Sequence, residues 1–163
     1  LGFFKKDIFL LCSDWEFDWE EDGFHYSYFL PKGVVTDIAS VPRVLWPIIP
    51  PDGDLRGAAL IHDDLYHYQG KPPMGRVYKL VGEEWIQIER AWTRNEADKF
   101  LSFIMGKAGA LKTKRDAVYA GVLAGGWVAW RKKRKELITK TRIDYYLEQF
   151  RLRDEAIKGK VRA

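Results

Sequence analysis

Five of the seven prolines in this chain of 163 residues lie between residues 31 and 51. Proline fixes φ and has no backbone N–H to donate, so it is excluded from helix interiors and from central strands. Residues 32–52 are therefore predicted to form an irregular loop that wraps the body, with Trp46 and the Ile48-Ile49 pair as its apolar anchors. This loop separates a segment with β character from a segment with helical character.

The segment before the loop has the pattern of an antiparallel hairpin. Residues 7–12 are a mostly apolar run, and between residues 15 and 20 Trp and Phe alternate with Asp and Glu. Such alternation with a period of two is typical of a half-buried strand. The sequence Glu21-Asp22-Gly23 predicts a tight turn, and residues 24–30 supply the return strand.

The segment after the loop predicts a helix over residues 55–68. Asp54 is placed to cap its N-terminus and Gly70 to end it. The side chains spaced to face the core are Ala58, Ile61, Leu65 and Tyr68. His62 and Tyr66 are four residues apart, so they share one flank of this helix.

A second hairpin and a second helix follow. Residues 76–81 and 85–92 are predicted as strands around a turn at residues 82–84, and Ile and polar residues alternate in the second strand. Thr93 and Glu96 have the spacing of a capping box, which predicts a helix over residues 94–107. Asp98 lies in its first turns, beside the apolar face.

The C-terminal part of the chain is basic and helical in character. Residues 117–130 are uncharged and are followed by five consecutive Lys and Arg at 131–135. Fourteen residues are fewer than the roughly 20 that span a membrane. The run therefore predicts a buried helix, or an interfacial or helix-packing segment. Residues 136–158 are amphipathic and predict a surface or partner-binding helix.

These elements indicate an α+β fold with a core domain over residues 1–109 and a basic helical extension over residues 110–163. Residues 1–106 carry 11 Lys/Arg against 17 Asp/Glu, and residues 107–163 carry 16 against 6. A basic extension on an acidic body suits an anionic membrane surface, an acidic partner protein or nucleic acid. The single cysteine, Cys12, excludes an internal disulfide and is expected to be a small buried hydrophobe.

His62 is the strongest candidate for chemistry. Histidine is the usual general base near neutral pH, and it works best when a carboxylate fixes its tautomer. Asp63 is poorly placed for this because adjacent helical side chains point about 100° apart. Asp98 on the second helix is the better partner, which leaves Asp63 to bind a cation or a substrate. Asp64 is expected to face solvent. The alternative is that these residues are a hydrogen-bonded framework without catalytic activity.

A calcium ion is the cofactor that this arrangement favours. A hydrolytic site needs a positive partner for the oxygen on which charge develops. Calcium takes oxygen ligands, which the Asp63 carboxylate and backbone carbonyls of the loop 42–54 would supply. Asp37 and Arg43 are placed in the same region, where Asp37 either caps a turn or pairs with Arg43 at the site.

The chain resembles a family of tailed-phage and prophage proteins that is catalogued as a domain of unknown function. The resemblance spans about residues 25–130 and implies a phage origin, often among tail or late genes. The motifs that carry it are Pro31-Lys32-Gly33-Val34-Val35-Thr36-Asp37-Ile38-Ala39-Ser40-Val41-Pro42-Arg43, Trp46-Pro47, Pro50-Pro51-Asp52-Gly53, Ala58-Ala59, His62-Asp63-Asp64-Leu65-Tyr66, Thr93-Arg94 and Glu96-Ala97-Asp98.

A second resemblance is to the phospholipase A-two superfamily, especially its viral capsid-borne members. The matching positions are Ala58-Ala59, His62-Asp63, Tyr66 and Ala97-Asp98. The resemblance implies that His62 is the base, Asp98 its partner, Asp63 the calcium ligand and Tyr66 a support for the carboxylates. The chain departs from that pattern in the hairpin between the two helices and in lacking a Gly-rich calcium loop before the first.

Three functions follow as hypotheses. The first is a phage virion or tail-associated protein, assembled in the bacterial cytoplasm, with a His62/Asp98 hydrolase-like site that acts on host envelope lipid. The second is a structural tail or hub protein in which His62, Asp63 and Asp98 form a buried polar network. The third is a phage effector that binds nucleic acid through residues 107–163.

Overall fold

The computed structural model describes residues 2–3, 8–37, 45, 47, 55–131 and 140–161. The strands are β1 (Gly2–Phe3), β2 (Phe9–Leu10), β3 (Trp15–Glu21), β4 (Phe24–Leu30), β5 (Val35–Thr36), β6 (Val77–Val81) and β7 (Glu84–Gln87). The helices are α1 (Arg56–His67), α2 (Arg94–Lys107), α3 (Lys112–Arg131) and α4 (Lys140–Val161). The α+β prediction is confirmed. Most of the proline-punctuated loop, with Trp46, the Ile48-Ile49 pair and Asp54, lies outside the described residues.

The larger sheet is antiparallel, with the strand order β3-β4-β6-β7. Its first hairpin turns at Asp22 and Gly23, which both have positive φ, as expected for a two-residue turn between twisted strands. The second hairpin joins the first because β4 pairs with β6. β7 ends at Gln87 and is therefore shorter than the predicted strand over residues 85–92. A smaller sheet pairs β1, β2 and β5 in that order.

The two faces of the larger sheet differ in burial, as the alternation in β3 predicts. The inner face carries Trp19, Tyr28, Leu30 and Val77, all buried. This face packs on α2, where the ring centroid of Phe100 lies 4.9 Å from that of Trp19. The outer face carries the exposed acids of β3. The period-two alternation therefore determines which face of the sheet packs against the helices.

Helix α1 lies at the centre of the core. Every residue from Ala58 to Tyr66 is buried, although three consecutive members of that run are polar. Its neighbours include α2, α3 and β5. Tyr68 follows the helix and is 38% exposed, so its predicted place in the core is wrong. The helix begins after Leu55, which makes no side-chain cap.

Helix α2 begins at the predicted capping box, which is confirmed. The Thr93 hydroxyl accepts from the Glu96 backbone N–H, and the Glu96 carboxylate accepts from the Thr93 backbone N–H. These two bonds satisfy donors that every helix N-terminus leaves unpaired. The helix therefore has a fixed start, and this fixes the position of Asp98 along it.

Helix α3 differs from the prediction in length and burial. It begins at Lys112, and only Val118, Val122 and Gly126 are buried. Leu123, Trp127 and Val128 are each more than 40% exposed. The predicted buried helix is thus buried on one face only. Among the described residues, no helix is both long and apolar enough to cross a membrane.

Gly70 and Gly82 have similar backbone conformations but different surroundings. Comparing them tests whether the contact at the end of α1 stabilises the fold. Gly70 and Gly82 have φ of +75° and +65°. A Cβ at Gly70 would overlap the carbonyl oxygen of Trp92, whereas nothing lies within 4 Å of a Cβ at Gly82. The close approach at Gly70 comes with backbone hydrogen bonds of 2.7 Å to Leu65 and 2.8 Å from Trp92.

We predict that Gly70→Ala destabilises the fold far more than Gly82→Ala. The Gly82 variant carries only the left-handed backbone cost, about 1 kcal/mol. The Gly70 variant adds the cost of overpacking and should lose about 3 kcal/mol or more. Urea denaturation of both variants measures the difference. Equal losses would show that the contact with Trp92 does not hold the end of α1.

Candidate functional site

Helix α1 buries three consecutive polar side chains and directs each toward a different part of the fold. His62, Asp63 and Asp64 are 1%, 2% and 6% exposed. Successive side chains on a helix are about 100° apart, so the three cannot share one partner. Because a buried polar group without a partner is costly, each requires its own.

His62 is held by Asp98 of α2. The distance between His62 Nε2 and Asp98 Oδ1 is 2.9 Å, and both side chains are buried. The contact predicted from the sequence is therefore present. An ionised carboxylate only accepts hydrogen bonds, so Nε2 carries the proton in this contact. In the neutral imidazole the lone pair is then on Nδ1, so Nδ1 is the ring nitrogen that can accept a proton.

Tyr66 supports the same carboxylate from one turn further along α1. Its hydroxyl donates to Asp98 Oδ1 over 2.6 Å, and its ring centroid lies 4.3 Å from that of His62. Burial raises the pKa of Tyr66, and the hydrogen bond to Asp98 adds to the rise. The phenol therefore stays protonated and remains a donor. The flank shared by His62 and Tyr66 is confirmed.

Helix α3 covers this group from outside. The ring of Trp130 meets that of Tyr66 edge to face, with centroids 4.9 Å apart. Gly126 lies so close to the Tyr66 hydroxyl that a Cβ there would clash with it. Asp98 Oδ2 has no hydrogen-bond partner among the described residues. Arg94 Nη1 lies 3.5 Å from this oxygen and partly compensates its charge without completing a good hydrogen bond.

Asp63 faces away from this group. Its Oδ2 accepts a hydrogen bond from the Thr36 hydroxyl of β5. It also lines a cleft of about 450 Å³. The cleft walls come from the β4–β5 connection, β5, α1, Arg76 and α4, and their polar members include Lys32, Thr36, Asp63, Asp64, His67, Tyr68, Arg76 and Asp144. His62 and Asp98 do not line this cleft, so the patch is divided between the His62–Asp98 pair and the carboxylates that border the cleft.

The expectation that Asp64 faces solvent is wrong. Asp64 Oδ2 accepts from the Tyr28 hydroxyl at 2.8 Å and from Arg76 Nε at 3.0 Å. Burial raises the pKa of Asp64, and both partners partly offset the rise. The same burial raises the pKa of Tyr28, so its hydroxyl stays a donor. The partners that sequence reasoning missed are Tyr28 on strand β4 and Arg76 just before β6.

Asp37 and Arg43 are the remaining predicted site residues, and of these the structure describes Asp37. Asp37 follows β5 and is half-buried, next to the Thr36 that binds Asp63. Arg43 lies outside the described residues, so the pairing of Asp37 with Arg43 stays a prediction. Among the described residues, no group of three or more His, Cys, Asp or Glu is arranged to hold a metal ion. Most of the loop 42–54, whose carbonyls complete the predicted calcium site with Asp63, lies outside the described residues, so calcium binding stays a prediction.

We predict that Arg76→Gln destabilises the fold by about 3 kcal/mol at pH 8, because it leaves the buried Asp64 charge uncompensated. Asp64 already binds its proton more tightly in the folded state than in the unfolded one. The stability that it contributes is therefore fully present below pH 3.8 and is lost as the pH rises through its folded pKa. Without Arg76 this pKa rises further, so the penalty should be smaller at pH 5 than at pH 8.

Urea denaturation at the two pH values measures this penalty. Asp64→Asn is the matched background, since it keeps the shape and removes the charge. The effect of Arg76→Gln should largely vanish there. A penalty that is the same in both backgrounds and at both pH values would contradict the pairing.

The comparisons with known proteins bear on the family and not on the chemistry. No curated protein and no solved structure matches the chain. One family model, described as a protein of unknown function (DUF1353), matches residues 10–122. The match includes α1, α2 and the residues that bind His62, Asp63 and Asp64. It ends before Gly126 and Trp130 of α3. The predicted resemblance to a family of unknown function is thus confirmed, and the chain belongs to the DUF1353 family.

Proposed function

We propose that this chain is a tail-associated bacteriophage virion protein with a phospholipase-like hydrolytic site, in which His62 is the general base. The observation that carries the proposal is the 2.9 Å contact between His62 Nε2 and Asp98 Oδ1, with the Tyr66 hydroxyl on the same oxygen. The motifs that resemble tailed-phage proteins support the phage origin.

The geometry suits activation of a water molecule. In the first step, Nδ1 of His62 takes a proton from water and the resulting hydroxide attacks an ester carbonyl. The imidazolium that forms lies against the Asp98 carboxylate, which stabilises its charge. Tyr66 keeps that carboxylate oriented, since its hydroxyl binds the same oxygen as the imidazole. Collapse of the tetrahedral intermediate breaks the ester bond, and His62 returns the proton to the leaving alcohol.

The substrate class that we propose is lipid of the host envelope. The basic C-terminal region favours an anionic membrane surface, where each Lys or Arg adds to the attraction. It equally suits acidic neighbours within a virion, so other tail proteins are the proposed partners. In this proposal the protein is assembled in the bacterial cytoplasm and acts after delivery in the particle.

We predict that the wild-type protein releases fatty acid from vesicles of anionic phospholipid, and that His62→Asn and Asp98→Asn reduce the rate at least about 100-fold. The assay is run with calcium and again with a chelator, because the resemblance implies calcium. His67→Asn is the matched control on the same helix, since His67 lines the cleft without contacting Asp98, and it should keep most of the rate.

Folding of each variant is checked by near-ultraviolet circular dichroism and urea denaturation before the rates are compared. Wild-type release that does not exceed that of the folded His62→Asn variant, with or without calcium, would rule out the hydrolase.

The burial of the same residues favours a second candidate, a structural tail or hub protein. His62 is 1% exposed and Asp98 is fully buried, and Trp130 and Gly126 seal the neighbouring Tyr66. In this function the pair ties α1 to α2 permanently and no substrate reaches it. Because its hydrogen bonds form in only one arrangement, a buried polar network of this kind selects one packing of the helices among the many that apolar contacts alone would allow.

For the structural candidate we predict that the pair can be replaced as a unit. His62→Phe or Asp98→Leu alone should cost about 3 kcal/mol, because each leaves a buried group unpaired, whereas the double variant should recover much of that loss. The double variant should still be incorporated into phage particles. A double variant that assembles normally but yields non-infectious particles would favour the hydrolase instead.

A further inference from the structure

The outer face of the larger sheet carries a pocket of about 320 Å³ that is separate from the α1 residues described above. We call it the outer-face pocket. Its lining residues are Glu16, Asp18, Ser27, Phe29, Tyr78 and Trp85. The opposite face of the same sheet packs on α2, so the sheet itself separates this pocket from His62.

Strand register brings these six side chains together from distant parts of the sequence. Glu16 lies opposite Phe29, and Asp18 lies opposite Ser27. Ser27 in turn lies opposite Tyr78. Trp85 pairs with Leu80, two residues along from Tyr78 on the same face of β6. Directly opposite and diagonal neighbours on one face are within reach of each other, so four strands form one concave surface.

The pocket has two chemically different sides with a hydroxyl between them. β3 supplies the carboxylates of Glu16 and Asp18, both exposed. β6 and β7 supply the rings of Tyr78 and Trp85, and the Trp85 side chain is 46% exposed. Phe29 extends the aromatic lining beside Glu16. An apolar wall that ends at carboxylates suits a ligand with an apolar stem and a cationic end.

Ser27 supplies the pocket with a hydroxyl group. Its side chain lines the pocket and is 7% exposed. A serine hydroxyl has two acceptor lone pairs, so it can accept a hydrogen bond from a cationic group bound there. It lies between Asp18 and Tyr78, where it would contact the polar end of a bound molecule.

The negative charge of this face favours a ligand with a positive charge. The outward positions of the four strands are Glu16, Asp18, Glu20, His25, Ser27, Phe29, Tyr78, Leu80, Trp85 and Gln87, without a Lys or Arg. Within the described part of the chain, neither Glu16 nor Asp18 forms an ion pair. Two carboxylates at the rim of one pocket repel each other, and a bound cation relieves that repulsion. A neutral ligand such as a sugar would leave it in place.

We propose that the outer-face pocket binds a lysine or arginine side chain of a partner protein. The aliphatic stem lies along Phe29, Tyr78 and Trp85, and the ammonium or guanidinium group sits between the two carboxylates and the Ser27 hydroxyl. This interaction makes the outer face of the four-stranded sheet a docking surface for a basic segment. It does not depend on the hydrolase or on the structural candidate above, because it uses none of their residues.

The test uses the full chain labelled with ¹⁵N, in which the Trp85 indole N–H signal is assigned by its loss in Trp85→Phe. The probe is Nα-acetyl-lysine methylamide, and Nα-acetyl-norleucine methylamide is its neutral control of similar shape. The lysine compound should shift the Trp85 signal with a millimolar dissociation constant, about 1 mM, that weakens as salt is added. The norleucine compound should produce no saturable shift.

Variants on one strand sharpen the test. Glu16→Gln combined with Asp18→Asn should weaken lysine binding at least tenfold, whereas Glu20→Gln should leave it unchanged, since Glu20 lies on the same face outside the pocket. Ser27→Ala should weaken binding several-fold. Equal binding of lysine by the double variant and by Glu20→Gln would overturn the proposal. So would saturable binding of methyl glucoside without binding of the lysine compound.

Discussion

The fold depends on the polar contacts of three adjacent residues in the middle of its central helix. His62, Asp63 and Asp64 are all buried. Removing such groups from water costs free energy, and this cost is offset only because each has a hydrogen-bond partner elsewhere in the fold. Asp98 lies on α2, Thr36 on β5, and Tyr28 with Arg76 on or beside the larger sheet. These four directional contacts, made by three successive side chains, thus fix the rotation of α1 about its axis and its position along the sheet more tightly than apolar packing alone.

The parts of this arrangement that the sequence predicted are those set by short-range rules. The alternation in β3 gave the first hairpin, and the spacing of Thr93 and Glu96 gave the start of α2. The contact of His62 with Asp98 was predicted because one helix flank must face its neighbour, and Asp98 was the carboxylate beside the apolar face of that neighbour. Each of these inferences needed only periodicity and one assumption about adjacent helices.

The parts that were missed depend on pairing between distant segments. Asp64 was assigned to solvent because its side chain points away from His62, and nothing local indicates that the second hairpin pairs with β4 and brings Arg76 to that flank. The outer-face pocket was missed for the same reason, since Trp85 meets Glu16 and Asp18 only through that pairing. Taken by itself, a strand with the alternation of β3 predicts only a solvated acidic face.

The polar contacts on the two flanks of α1 differ in how easily a ligand can reach them. The His62–Asp98–Tyr66 group is covered by α3, so exchange of its hydrogen bonds with a ligand requires α3 to move or a path from another side. The Asp63–Thr36 contact borders the 450 Å³ cleft, and a ligand in that cleft can compete for it without opening the core. A permanent structural role needs all four contacts intact, whereas turnover needs at least one to be exchangeable. Asp63 is therefore the residue at which ligand binding and the stability of α1 are most directly coupled.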